Sequence, residues 1–205
     1  MTTSPYSGTA ALASASRSFP GVPGRLPGLI ALTDPARTPD VMDFAQILPK
    51  GCALIYRHFG RPERFDDGAK LAAIAKDRGF LLLVSADPEL ADDVGAAGIH
   101  WPVRMLHLAR QWRKENPDQV MTLSAHNREE LALAKNIKAD AALLSPIFPT
   151  KSPNSGPAIG TLRARTLVPH AGVPVYALGG ITAETAGHLA GIGFSGIASI
   201  DGFKG

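Results

Sequence analysis

A single cysteine, Cys52, in 205 residues leaves no partner for an intramolecular disulfide and removes every C-x-x-C metal or redox motif. That usage fits a reducing compartment, and a cytoplasmic protein is expected. Neither sign of charge dominates: 21 Lys and Arg against 18 Asp and Glu give a formal +3. The basic residues are spread along the chain rather than gathered into a patch, so nucleic acid is not an expected partner. Long apolar runs are missing as well. The longest, such as Phe80-Leu-Leu-Leu-Val84, are strand-sized, far below the ~20 residues of a membrane helix, and no membrane association is expected. Residues 1–28 have neither the charged start and long apolar middle of a secretory signal nor the arginine content of a transit peptide.

What the chain does contain is a regular rhythm. Its length is that of one domain, able to bury roughly 70% of its unfolded surface. Residues 1–28 are rich in Ser, Ala, Thr, Pro and Gly and read as a mobile extension in which Thr9 to Phe19 has the composition for a short helix. From Leu29 onward, β-rich runs alternate with amphipathic stretches. The strands expected are Leu29 to Thr33, Ala53 to Arg57, Phe80 to Ser85, Gly98 to Trp101, Val120 to Ser124, Ala141 to Ser145, Val173 to Leu178 and Phe194 to Ile200. Helical patterns lie between them, including Ala69 to Arg78, Leu106 to Glu115, Glu129 to Lys138 and Ala183 to Ile192, with helix starts at Asp40, Asp87, Asn127 and Thr182. Near-continuous apolar strands alternating with helices indicate a parallel sheet covered on both faces. Eight such units predict an α/β fold, a closed (β/α)8 barrel (TIM barrel) over residues 29–205, with an open doubly wound sheet as the alternative.

In either fold, function collects at the C-terminal ends of the strands. Those ends carry Tyr56, Arg57 and His58; Ser124 and His126; Ser145, Thr150, Lys151 and Ser152; Gly179 and Gly180; and Ile200 and Asp201. Two histidines, an arginine and several hydroxyls around one mouth favour a small polar ligand. Gly179-Gly180 lets backbone N–H groups approach a phosphate without interference from a Cβ. Arg57 has the planar fork that clamps carboxylate or phosphate, and His126 is placed to move a proton near neutral pH. Each has a plainer alternative: a simple βα turn, a salt-bridged rim arginine, a helix-orienting histidine. His100, flanked by Ile99 and Trp101, reads as a satisfied, partly buried residue. His107, His170 and His188 read as surface residues, and Met42, Met105 and Met121 as core filling. No histidines show metal-ligand spacing, and no metal is expected.

Taken in order, Ala31-Leu-Thr-Asp34, Tyr56-Arg57, Gly95-Ala-Ala-Gly-Ile-His100, Ser124-Ala-His126, Ser145-Pro-Ile-Phe-Pro-Thr150, Ala177-Leu-Gly-Gly-Ile181 and Gly196-Ile-Ala198 resemble the thiamine phosphate synthase and TenI (thiazole tautomerase) superfamily. The resemblance implies a (β/α)8 barrel that binds a phosphorylated thiazole, with phosphate held by Gly179, Gly180 and the loop at Ile200. In the synthase branch a pyrimidine pyrophosphate loses pyrophosphate, the thiazole nitrogen captures the cation, and Mg²⁺ with several cations supports the departing group. This chain departs from that pattern. The family's Gln-Tyr-Arg-x-Lys falls on Ile55-Tyr-Arg-His-Phe59, its Asn-Asp pair on Ser85 and Ala86, and its later metal-binding aspartate near Met105. Its Thr-x-Thr-Lys falls on Thr150-Lys-Ser-Pro153, and its strand-8 serine on Asp201, whose charge opposes a phosphate unless it points away. The sequence stops at Gly205, so the eighth helix is expected to be missing or truncated, its place taken by the N-terminal helix or by a second copy in a homodimer.

Losing several preorganised groups at about 2–4 kcal/mol each would slow pyrophosphate departure severely. The expectation from sequence is therefore a TenI-like thiazole tautomerase, needing no cofactor. In this reading His126 is the proton shuttle and Arg57, Thr150, Lys151, Gly179 and Gly180 position substrate; Tyr56, Ser152 and Ile200 are further binding candidates, and Arg57 and Ser124 are further catalytic candidates, Ser124 near the leaving oxygen of the synthase alternative. A divergent synthase, which would need Mg²⁺, is the alternative, followed by a non-catalytic binder of thiazole or thiamine phosphate.

Overall fold

Runs such as Leu29-Ile-Ala-Leu32 and Ala141-Ala-Leu-Leu144 have no polar face, and strands of this kind are stable only when both sides are covered. A computed structural model describes residues 6–152 and 156–204. Its strands are β1 Leu29–Leu32, β2 Ala53–Tyr56, β3 Leu81–Ser85, β4 Gly98–Trp101, β5 Val120–Ala125, β6 Ala141–Leu144, β7 Val175–Leu178 and β8 Gly196–Ser199. All pair in parallel with their chain neighbours, and β8 pairs with β1, Leu29 opposite Ile197 and Ala31 opposite Ser199. The sheet closes into a barrel, which excludes the open-sheet alternative.

Period-two alternation divides the side chains into two cores. Ile30, Leu32, Ile55, Leu83, Leu143 and Tyr176 fill the barrel, whereas Leu54, Val84, Ile99, Leu123 and Leu144 join the layer packed under the helices. Tyr176 fits inside because Gly196 stands beside its ring, where an added Cβ would overlap it. His100 also lies inside, 6% exposed, with Nδ1 2.9 Å from Thr122 Oγ1. Burial, reinforced by nearby Arg57, lowers its pKa to about 3, so it stays neutral. His107, His170 and His188 are exposed.

The helices are α1 Thr9–Ser16, α2 Val41–Gln46, α3 Arg64–Arg78, α4 Pro88–Asp93, α5 Leu106–Glu115, α6 Arg128–Asn136, α7 Gly160–Leu167 and α8 Ala183–Gly187. Asp40, Asp87, Asn127 and Thr182 are N-caps whose side chains accept from the N–H three residues on. The stretch expected to be helical to Ile192 is α-helical only to Gly187; residues 188–190 continue as i→i−3 turns, and Gly191, at φ +71°, turns the chain away.

No helix follows β8 among the described residues, and α1 takes that place. It packs on α8, and its one large apolar side chain, Leu12, is fully buried. Tyr6 and Phe203 both contact the α2 residue Phe44, each with ring centroids 5.2 Å apart, so one aromatic cluster joins the N-terminal segment, α2 and the chain after β8. Gly8 lies against the Lys204 carbonyl, where a Cβ would not fit. The segment expected to be a mobile extension is thus part of the fold from Tyr6 onward; residues 1–5 lie outside the described residues. The physical reason is the seam: without a helix after β8, the apolar flank between α8 and α2 would be open to water.

The same segment closes the bottom of the barrel. Leu26 enters the interior core, and the Tyr176 hydroxyl donates to the Pro27 carbonyl at 2.8 Å. Arg25 bonds Asp140 at 2.7 Å, and Arg113 holds the other carboxylate oxygen at 2.8 Å. Burial opposes the Asp140 charge, but Arg25, the Met121 N–H and Arg113 outweigh it and hold the carboxyl below its ordinary pKa.

Two outcomes follow for stability. Leu12→Ala should cost about 2–4 kcal/mol, read as a lower urea midpoint. Because the folded-state pKa of Asp140 is depressed, its contribution is present above the unfolded value of about 3.9 and is lost as pH falls through the folded value. Arg25→Ala should therefore destabilise most at neutral pH, and its gap to wild type should narrow on acidification below about pH 4, measured by denaturation at each pH.

Candidate functional site

Alternation along a strand decides which side chains reach the mouth of a barrel. At the end of β2, Tyr56 belongs to the layer under the helices and its hydroxyl lies 3.4 Å from Asp67 on α3. That orientation sets Tyr56 apart from the mouth. Arg57, one residue on, faces the mouth. It donates through Nε to the Thr33 carbonyl (2.9 Å) and through Nη2 to Asp34 Oδ2 (2.5 Å). His58 is buried again, its Nδ1 accepting from the Gly60 N–H at 3.0 Å.

Arg37, which sequence reasoning passed over, is the hub of the mouth. Its Nη2 donates to Asp34 Oδ2 (3.1 Å), and its Nη1 to Ser152 Oγ (3.1 Å) and Asp201 Oδ2 (3.0 Å). One guanidinium thus joins the loops after β1, β6 and β8. The only local signal was its place three residues after Asp34; the other partners are 115 and 164 residues away. Burial works against the Asp34 charge, but Arg37 and Arg57 hold its carboxyl below the ordinary value. Asp201, which sequence made an obstacle to phosphate, is paired with Arg37 and with Lys204 Nζ (3.1 Å).

These groups surround a cavity of about 1220 Å³. Among the described residues, Arg37, Arg57, Lys151, Arg163 and Lys204 line it with one carboxylate, Asp201. It also brings together His126, Thr150, Ser152, Gly179, Gly180 and Ile200 from the sequence-derived set. Pro153, aligned with the family's final lysine, lies outside the described residues. Ser124 is not among the residues lining the cavity; its Oγ accepts from the Val103 N–H at 2.9 Å, which ties β5 to the loop after β4.

The glycine pair has a packing reason as well as a ligand-facing one. Gly180 has φ +66°, and a Cβ there would come within 2.6 Å of the Pro149 carbonyl and 2.7 Å of Phe148 Cβ. The loop after β6 therefore lies directly on the turn after β7. Ser199 Oγ donates to the Ile181 carbonyl (2.8 Å) and accepts from the Gly202 N–H (2.9 Å), locking the β7 and β8 loops together. The following helix α8 has only 5 residues, and Thr182 and Thr185 satisfy each other's backbone N–H, so the helix dipole adds little here.

His126 precedes the Asn127 cap, and Glu130 accepts from its backbone N–H at 2.7 Å. Its Nδ1 lies 2.9 Å from the Ser145 carbonyl oxygen. A carbonyl only accepts, so Nδ1 carries the proton and Nε2 is the basic nitrogen.

Mg²⁺ demands octahedral oxygen ligands, usually with one or two carboxylates. The residues here do not fit it. The end of β3 offers Ser85 and Ala86, and Asp34 is taken up by two arginines. Asp87, the remaining neighbour, caps Leu90 N–H with one oxygen and receives Arg64 Nε at 3.0 Å on the other. No group of three His, Cys, Asp or Glu among the described residues is arranged to hold a metal.

The architecture defines a (β/α)8 barrel with a cationic pocket at the C-terminal mouth. The chain belongs to the thiamine monophosphate synthase family, whose sequence model matches residues 30–203. It is 31% identical to a putative thiamine-phosphate synthase 2 of Aquifex aeolicus over 183 residues, covering 87% of this chain and 98% of that protein. A thiamine-phosphate synthase of Lactococcus lactis subsp. cremoris is 30% identical over 139 residues, 67% of this chain. That match spans 64% of the Lactococcus protein, under two-thirds of its length. Among solved structures, a thiamine phosphate pyrophosphorylase from Pyrococcus furiosus superposes with TM-score 0.71 at 25% identity, over 85% of this chain and 87% of that one.

Gly180→Ala should cost at least about 1 kcal/mol by thermal melting, because it pushes the β6 loop off the β7 turn.

Proposed function

We propose that the protein catalyses a thiamine-phosphate-synthase reaction, joining a phosphorylated thiazole to a hydroxymethylpyrimidine diphosphate. The observation that carries this reading is a cavity of about 1220 Å³ lined by five cationic side chains. Pockets that bury one drug-sized ligand run to about 300–1,000 Å³, so this cavity has room for two small phosphorylated partners side by side. The names borne by the relatives support it over the tautomerase expected from the sequence.

In this reading the thiazole phosphate lies on the Gly179-Gly180 turn and the Ile200 loop. The diphosphate of the second substrate faces Arg57, Arg37 and Lys151. The methylene carbon–oxygen bond breaks with its electron pair leaving on diphosphate, and the thiazole nitrogen lone pair forms the new carbon–nitrogen bond. No proton is lost in the joining step. The chain's contribution is orientation and compensation of the charge that accumulates on the leaving oxygens. Thr150 and Ser152 add hydroxyls from the loop after β6.

A tautomerase keeps one specific support, the free Nε2 of His126 at the cavity wall. The two readings separate on one pair of experiments. Purified protein given both substrates should release thiamine phosphate and diphosphate, detected by mass spectrometry. His126→Ala should retain that product within about tenfold, since acid–base catalysis has no part in the joining step. Absence of product with wild type, together with His126-dependent thiazole isomerisation, would reverse the assignment.

A further inference from the structure

The donor set described above disagrees with the metal that the synthase reaction uses in this family, and the disagreement has a positive side. Three carboxylates at the strand ends are each occupied by a cation: Asp34 by Arg37 and Arg57, Asp201 by Arg37 and Lys204, Asp87 by Arg64. Five cations line the cavity, against Asp201 on its wall and Asp34 behind Arg37 and Arg57, an excess of three positive charges. A diphosphate carries a matching negative charge. Planar guanidinium groups meet phosphate oxygens in pairs, which a lysine or a hydrated cation does not.

Resting on the synthase reading, we propose that this mouth is a metal-independent diphosphate site, in which Arg37 and Arg57, aided by Lys151, hold the diphosphate without a divalent cation. Arg57 spends Nε and Nη2 on Thr33 and Asp34 and makes no hydrogen bond through Nη1 to a described residue, so one edge of its fork is available. Arg37 reaches Asp201 through Nη1, and Asp201 is 43% exposed on its side chain. An incoming phosphate oxygen replaces that exposed carboxylate at Nη1, while Nη2 stays on Asp34. Asp201 is a placeholder for the ligand's charge, held in reserve by Lys204.

The test is calorimetric titration of the full chain with inorganic pyrophosphate, in EDTA and in excess Mg²⁺. Binding in EDTA should be at least as tight as in Mg²⁺, which competes for the ligand. Arg37→Ala and Arg57→Ala should each weaken it by about 10- to 100-fold, as expected for a charge-assisted hydrogen bond. Asp201→Asn should tighten it by up to about fivefold, by removing an exposed competing carboxylate. Pyrophosphate binding that requires Mg²⁺ in the wild type would overturn the proposal without reliance on any variant. Its failure is separable from that of the function: thiamine phosphate made only with Mg²⁺ would sink the metal-free site and keep the synthase, whereas pyrophosphate bound in EDTA with no thiamine phosphate under any condition would do the reverse.

Discussion

Closure of β8 onto β1 is the constraint from which the rest follows. A barrel of two-sided apolar strands tolerates no uncovered flank, yet the chain after β8 only turns through residues 200–204 before the described structure ends. The N-terminal segment covers the flank with Leu12 and plugs the floor with Leu26. The same closure sets the β1 loop beside the β8 loop. Arg37 and Asp201 meet only because their strands are neighbours in space while lying at opposite ends of the barrel sequence.

The polar mouth is built on that seam as a chain of alternating charge, Arg57, Asp34, Arg37, Asp201 and Lys204. Each carboxylate is shared between two cations, so the cations are held in place without being fully neutralised. Binding sites for anions need such preorganisation, since flexible cations must first be ordered at an entropic cost. The loops after β6 and β7 are fixed by close backbone approach at Gly180 instead, and Ser199 links the β7 and β8 loops. The mouth is rigid for two different reasons on its two sides.

Much of this was readable in the chain. The eight strands appear within a residue or two of where uninterrupted apolar runs put them, and the caps at Asp40, Asp87, Asn127 and Thr182 are local chemistry that sequence states directly. Arg57, His126, Lys151, Gly179 and Gly180 could be placed at one mouth because strand ends in this fold converge. Period-two alternation sets Tyr56 on the opposite face from Arg57, under the helices. Ser124 depended on the Val103 N–H, and Arg37 on two loops more than a hundred residues away, neither of which has a sequence signature. The N-terminal helix was legible as a candidate cover for the flank after β8, whereas its burial was not, because α1 is mostly small residues with a single leucine, too little to mark a buried face.

The direction of α1 carries a last consequence. It starts at Gly8 beside Lys204, near the mouth, and the chain then descends to Gly21, whose N–H meets the Ser195 carbonyl at 2.7 Å at the foot of β8. A helix following β8 would run the same way. The ring of helices therefore has its usual polarity but a relocated peptide link, with the covering helix tethered to β1 rather than β8. In topological terms the barrel, over the described residues, resembles a circular permutant.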